Sequence, residues 1–212
     1  MKYFLPVLII LACCIFSCKS FDNGLLLNKE TFHKDVKPMR VIVNYESLLA
    51  CFPDFPRWTP RDEEGKAVYN RQVKEYYNEI EQNMMVIKNN LTFETEPHNY
   101  YLSILVRKIV RSNNILWTFT NIFSISTLGL LGWPWLSETY TIHLESAILN
   151  SDGKVLKTYN ATGTDTEYAA LYWGYIIGDD GKTARIKALA NACKDLRAQL
   201  KNDITTINSL AK

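Results

Sequence analysis

The N-terminal segment decides how much of this 212-residue chain is left to fold. Lys2 is its only charged residue, and an uncharged, mainly apolar stretch follows from Tyr3 to Phe16. This stretch has the length of the apolar core of a secretory signal and is short for a membrane-spanning helix. An apolar residue, a spacer, a small residue and a cysteine then follow as Ile15-Phe16-Ser17-Cys18. We therefore expect residues 1–17 to act as a signal peptide.

The ending Ile15-Phe16-Ser17-Cys18 resembles the lipobox of bacterial lipoproteins. The resemblance implies acylation of the Cys18 thiol, with palmitate as a typical chain, and a periplasmic address in the cell envelope. The absence of aspartate after Cys18 is similar to lipoproteins sorted to the outer membrane. Ile10-Leu11-Ala12-Cys13 also fits a lipobox, but cleavage there leaves only about nine apolar residues, so Cys13 is the alternative. An ordinary secretory signal and an uncleaved anchor compete with both.

The composition of the remainder is that of a globular protein. The whole chain is 47% hydrophobic and 22% charged, which favours a buried core. We expect residues 18–37 to form an acylated tether and residues 38–212 a single domain. Removal of residues 1–17 lowers the formal net charge from +2 to +1. A nearly neutral chain with no basic run indicates that nucleic acid is not a partner.

Hydrophobic periodicity predicts an α+β fold. The C-terminal helix has one continuous apolar stripe that runs from Ile186 through Leu189 and Cys193 to Ile207, with a cap at Asp179 or Asp180. The predicted segments are strand Met39–Tyr45, helix 66–88 with an optional start at Thr59-Pro60, and strands 100–111, 116–128, 138–149 and 154–162. The order β-α-β-β-β-β-α favours a mostly antiparallel sheet of about five strands with both helices on one face. This order resembles small α+β lipoproteins that assist envelope assembly.

One predicted loop is unusually apolar. Residues 112–137 carry no charge, and Gly129, Gly132 and Pro134 break regular structure near the end of this run. We expect loop 128–136 to contact a membrane or a partner protein, with core packing as the structural alternative. The expected contact residues are Leu128, Leu130, Leu131, Trp133 and Trp135. A transmembrane helix at 115–136 is a further alternative, which the many Ser, Thr and Asn side chains disfavour.

The sequence contains no recognisable catalytic or metal-binding motif. His33, His98 and His143 are far apart, and no C-x-x-C pattern occurs, so we expect no metal and no cofactor. An oxidising compartment permits a disulfide between Cys51 and Cys193, although two small buried apolar side chains fit the pattern equally well. A polar-face histidine is by default a solvated one.

The function expected from these features is that of a membrane-anchored envelope lipoprotein acting as a binding, scaffold or assembly module. Its partners would be the membrane, through the N-terminal acyl chains, and an envelope protein. The alternatives are a hydrolase-type enzyme built from distant residues, such as His143 and Glu145 with a nucleophile, and an integral membrane protein spanning at 115–136. The absence of a recognisable catalytic motif disfavours the interpretation as an enzyme.

Overall fold

A computed structural model confirms the α+β class. It describes residues 31–32, 36–51, 55–93, 100–114, 116–123, 134, 136–169 and 181–210. Among these, the strands are β1 (Thr31–Phe32), β2 (Arg40–Val43), β3 (Thr92–Phe93), β4 (Tyr101–Asn114), β5 (Leu136–Leu149) and β6 (Val155–Ala169). The helices are α1 (Tyr45–Cys51), α2 (Glu63–Asn90), α3 (Leu116–Phe123), α4 (Lys182–Asn202) and α5 (Ile204–Leu210).

The main sheet has four strands in the order β2-β4-β5-β6. The edge strand β2 runs parallel to β4, with Arg40 opposite Tyr101. A tight turn at 150–153 links β5 to β6, and only an antiparallel pair can be joined so briefly. Arg107 pairs with Glu145 and Arg111 with Glu138, so later positions of β4 meet earlier positions of β5 and this pair is also antiparallel. A separate two-stranded parallel sheet joins β1 to β3.

The chain divides into two compact units. The described residues of the smaller unit lie within 111–140 and 165–185, and include α3 and the start of α4. The described residues of the larger unit lie within 31–110, 141–164 and 186–210, and include α1, α2 and most of α4. The three long strands each contribute residues to both units.

The core of the larger unit lies between one face of the sheet and the long helices. Alternate residues of β4 and β5 are buried, as expected for strands with one covered face. The buried apolar side chains include Leu102, Ile104, Val106, Ile142, Leu144 and Ile148 from the strands and Ile80, Ile87, Ile186, Leu189 and Leu196 from the helices. Gly163 on β6 lets α4 approach closely, because a Cβ there would overlap the backbone of Ala188 and Ala192.

Helix α2 begins earlier than Lys66. The side chain of Asp62 accepts a hydrogen bond of 2.6 Å from the backbone N–H of Gly65, so Asp62 is the N-cap instead of Thr59. Glu63 and Glu64 in the first turn favour this start through the helix dipole. The cap outweighs the weak helix propensity of Gly65.

The segment 116–128, predicted as a strand, begins with the helix α3. Asn114 caps it, since its Oδ1 accepts a hydrogen bond of 3.0 Å from the N–H of Leu116. The alternating aromatic residues suggested a strand period, but Leu116, Phe119 and Phe123 also follow a helical spacing of three and four. The expected four consecutive strands are therefore interrupted by a helix, and the sheet has four strands instead of about five. Helix α1 was not predicted.

Candidate interaction surfaces

Helix α3, in the smaller unit, displays a row of large apolar side chains to solvent. The exposed fractions are 65% for Leu116, 53% for Phe119, 61% for Ile122 and 83% for Phe123. These residues recur at steps of three and four, so they share one side of the helix. We call them the α3 apolar row. A contiguous exposed row of this kind is typical of a contact surface.

An ion pair joins the two strands at the ends of the uncharged segment 112–137. Arg111 on β4 pairs with Glu138 on β5, and the Tyr140 hydroxyl donates a hydrogen bond of 2.8 Å to the same carboxylate. Burial raises the pKa of Glu138, but the hydrogen bonds from Arg111 and Tyr140 outweigh it, and the pKa lies below its usual value. Glu138 therefore stays charged and holds the two strand ends together.

Arg185 on α4 completes this cluster within the smaller unit. It is 93% buried, and its guanidinium carbon lies 5.5 Å from the centre of the Tyr140 ring, a cation–π distance. Burial and the hydrogen bond to Glu138 raise the pKa of Tyr140 to about 12, so this phenol remains protonated and able to donate. Gly181, at φ +72°, precedes α4, and a Cβ there would overlap the Tyr140 ring. The cluster therefore links the end of β4, the start of β5 and the start of α4.

Polar side chains of α4 occupy the outer edge of β6. Asp195 accepts from the Thr162 N–H at 3.0 Å, Asn191 donates to the Thr164 carbonyl at 2.9 Å, and Gln199 donates to the Asn160 carbonyl at 2.8 Å. The three helix residues are four positions apart, so they lie in one line along α4. Because these side chains form hydrogen bonds with the outward backbone N–H and C=O groups of β6, those groups are not available to pair with a further strand. The spacing of these side chains is visible in the sequence, but their contact with the edge of β6 is not.

The open face of the sheet in the larger unit is lined by polar side chains. His143 is half-buried there, with its Nδ1 3.2 Å from the Thr162 hydroxyl, and Thr141 contacts Thr164 at 3.3 Å. Glu145, on the same face, pairs with Arg107. The polar-face position predicted for His143 is therefore observed. The described residues contain no group of three or more metal-ligating side chains.

Of the remaining predicted site residues, only two cysteines lie within the described part of the chain. Cys51 and Cys193 are both free thiols: the Cys51 thiol contacts the Val106 carbonyl oxygen at 3.3 Å, and Cys193 is fully buried in the core. Burial raises the pKa of both thiols, which keeps them protonated. The lipidation residues Cys13 and Cys18 and the loop residues Leu128, Leu130, Leu131, Trp133 and Trp135 lie outside the described residues.

A membrane-spanning helix at 115–136 was one alternative interpretation. The structure has an eight-residue helix, α3, at the start of this range. Within the described part of the chain, no helix combines the length and the apolar composition needed to cross a bilayer.

Two solved structures resemble the chain at low sequence identity. One, from Caulobacter crescentus, is provisionally assigned as a lipoprotein; it shares 11% identity, with 69% of this chain and 88% of that chain covered and a TM-score of 0.32. The other is provisionally assigned as a homologue of the neuraminyllactose-binding hemagglutinin from Helicobacter pylori, with 6% identity, coverages of 78% and 79%, and a TM-score of 0.29. No family model and no curated protein matches the chain.

Proposed function

We propose that the protein is a lipid-anchored binding protein of a bacterial cell envelope, and that the α3 apolar row rests against the bilayer. The observation that carries the proposal is the exposure of this row within a segment that has no charged residue. An uncharged apolar surface enters the headgroup region without the cost of desolvating a charge. In the sequence, the uncharged run continues through residues 128–136, which lie outside the described residues apart from 134 and 136.

The N-terminal anchor supports a membrane as the occupant of this row. Acyl chains on Cys18 would keep the domain close to the bilayer, because each buried CH₂ contributes about 0.8 kcal/mol and two or more chains give stable attachment. Thirteen positions separate Cys18 from Thr31, where β1 begins, and such a tether reaches at most about 45 Å from the membrane. An anchored surface is held at high effective concentration, so a weak apolar contact suffices.

The free energy gained when the α3 apolar row is partly inserted into the bilayer is large enough for a reversible contact. Full burial of one large apolar side chain contributes about 1.5–3 kcal/mol. The row has four such side chains, and partial burial of each gives reversible contact of the kind that interfacial helices make. The domain could then bind a partner at its other surfaces while it stays oriented on the membrane.

A depth-sensitive fluorophore tests the membrane contact. The acylated protein carrying Cys51→Ser and Phe123→Cys is labelled at residue 123 and placed in phosphatidylglycerol and phosphatidylethanolamine vesicles that contain lipids brominated on their acyl chains. We expect strong quenching of this label. A matched label at Thr158→Cys, an exposed position of β6, should be quenched little. Equal, weak quenching at both positions would contradict membrane contact and leave a protein partner as the occupant of the row.

A further inference from the structure

The two edges of the four-stranded sheet differ in what covers them. Three α4 side chains occupy the outer edge of β6, as described above. At the opposite edge, Arg40 and Asn44 direct their N–H groups inward to the carbonyl oxygens of Tyr100 and Ile104, at 3.0 and 2.9 Å. By strand alternation, the N–H and C=O groups of Val41 and Val43 point outward. Among the described residues no strand pairs with this outer edge.

A groove of about 250 Å³ lies beside this open edge, within the larger unit. Met39, Val41, Leu91 and Phe93 give it an apolar floor, and Arg40 and Lys88 line it with positive charge. Both cations are exposed, and neither forms an ion pair within the described part of the chain. No described lining residue carries a carboxylate.

We propose that β2 and this groove form a binding site for an extended segment of a partner protein, which adds to the sheet as a fifth strand. The outward backbone groups of Val41 and Val43 supply the hydrogen bonds of strand addition. Side chains of an added strand point alternately to its two faces, so every second residue of the segment reaches the apolar floor. Arg40 and Lys88 select a segment that carries a carboxylate.

The same charges argue against a second copy of this chain as the occupant. Antiparallel pairing of two β2 strands would bring the Arg40 and Lys88 side chains of both copies to one interface. Like charges facing each other across strands are destabilising, and no described carboxylate lines the groove to offset them.

Peptide selection tests this site independently of the membrane contact made by α3. A random twelve-residue peptide library on phage is selected against the acylated protein in detergent. We expect enrichment of peptides that combine Asp or Glu with β-branched or aromatic residues at alternate positions. Failure of any peptide to be enriched would overturn the proposal.

Three variants then locate the binding. Val41→Pro removes an outward N–H but none that bonds to β4, and proline is tolerated at such edge positions, so the fold should persist. Both Val41→Pro and the double variant Arg40→Glu/Lys88→Glu should weaken binding of the selected peptides at least tenfold. A charge-matched control, Lys154→Glu/Lys194→Glu, changes two exposed cations elsewhere and should leave binding unchanged.

The proposal is overturned if the selected peptides bind all variants equally. It is also overturned if light scattering shows a dimer that Val41→Pro converts to a monomer, since a second copy would then occupy the edge. If Val41→Pro does not fold, the comparison of Arg40→Glu/Lys88→Glu with Lys154→Glu/Lys194→Glu decides by itself, and equal binding of the selected peptides to both overturns the proposal.

Discussion

The Asp195 carboxylate accepts a hydrogen bond of 3.0 Å from the Thr162 backbone N–H, so a helix side chain takes the place of a neighbouring strand. Gln199 donates to the same carboxylate oxygen at 3.2 Å and holds it in place. Free strand edges invite pairing with other chains, and proteins cover them for this reason. One edge of this sheet is covered in this way, whereas no described strand pairs with the outer edge of β2.

Replacement of Asp195 should expose the amide of Thr162. In Asp195→Ala the N–H loses its protein acceptor, and we expect faster hydrogen exchange at Thr162 together with a loss of about 1 kcal/mol in unfolding free energy. Asp195→Asn is the matched control, because its amide oxygen can still accept the hydrogen bond. Exchange is measured residue by residue by NMR. Equal exchange at Thr162 in the parent and Asp195→Ala would show that the edge is closed by something else.

The two Arg–Glu pairs between β4 and β5 should contribute different amounts to the free energy of unfolding. Glu138 is the more buried carboxylate and also accepts a hydrogen bond from the Tyr140 hydroxyl, whereas Glu145 pairs with an exposed Arg107. We expect Glu138→Gln to lower the unfolding free energy by about 1–3 kcal/mol, since it weakens hydrogen bonds to a charged, part-buried group. Glu145→Gln, an exposed pair, should cost about 0–1 kcal/mol. Urea denaturation measures both, and equal losses would contradict a special role for the Glu138 cluster.

Asp203 should make stability fall in acid. Hydrogen bonds, above all that from Lys157, lower the pKa of Asp203 to about 2, and the Tyr159 hydroxyl also donates to it at 2.8 Å. Because an unfolded aspartate titrates near about 3.9, the carboxylate stabilises the fold above that pH, and the contribution is lost as the pH falls through about 2.

The difference in urea midpoint between the parent and Asp203→Asn should therefore be largest near neutral pH and shrink between about pH 4 and 2. Glu81→Gln, at an exposed position of α2 with no ion pair among the described residues, is the matched control. A difference that does not change with pH would contradict the stabilising role of the Asp203 carboxylate.

Local patterns predicted the longest elements of this fold. The stripe of α4 and the alternation in β5 led to the expected helix and strand, because one face of each is buried against the core. The stripe also predicted one continuous C-terminal helix, but the chain turns at Asp203 and Ile207 packs from a separate helix, α5. An apolar stripe indicates which side chains are buried, but it does not show where one helix ends and the next begins.

The parts that sequence reasoning missed depend on contacts between distant residues. Helix α3 was interpreted as a strand because its aromatic residues alternate, and the four side chains of the α3 apolar row face solvent instead of a core. The parallel pairing of β2 with β4 joins segments about 60 positions apart, which no local pattern reports. The edge contacts of Asn191, Asp195 and Gln199 likewise require the position of β6.

Intact and peptide mass spectrometry of the mature protein, purified from the membranes of a bacterial host, shows whether the chain is lipid-anchored. We expect the chain to begin at Cys18 and to carry a thioether-linked diacylglycerol. The same lipid on Cys13 would keep the anchor and correct its site. A mature chain that begins at another residue, or that carries no lipid on its first cysteine, would contradict the account of a lipid-anchored protein.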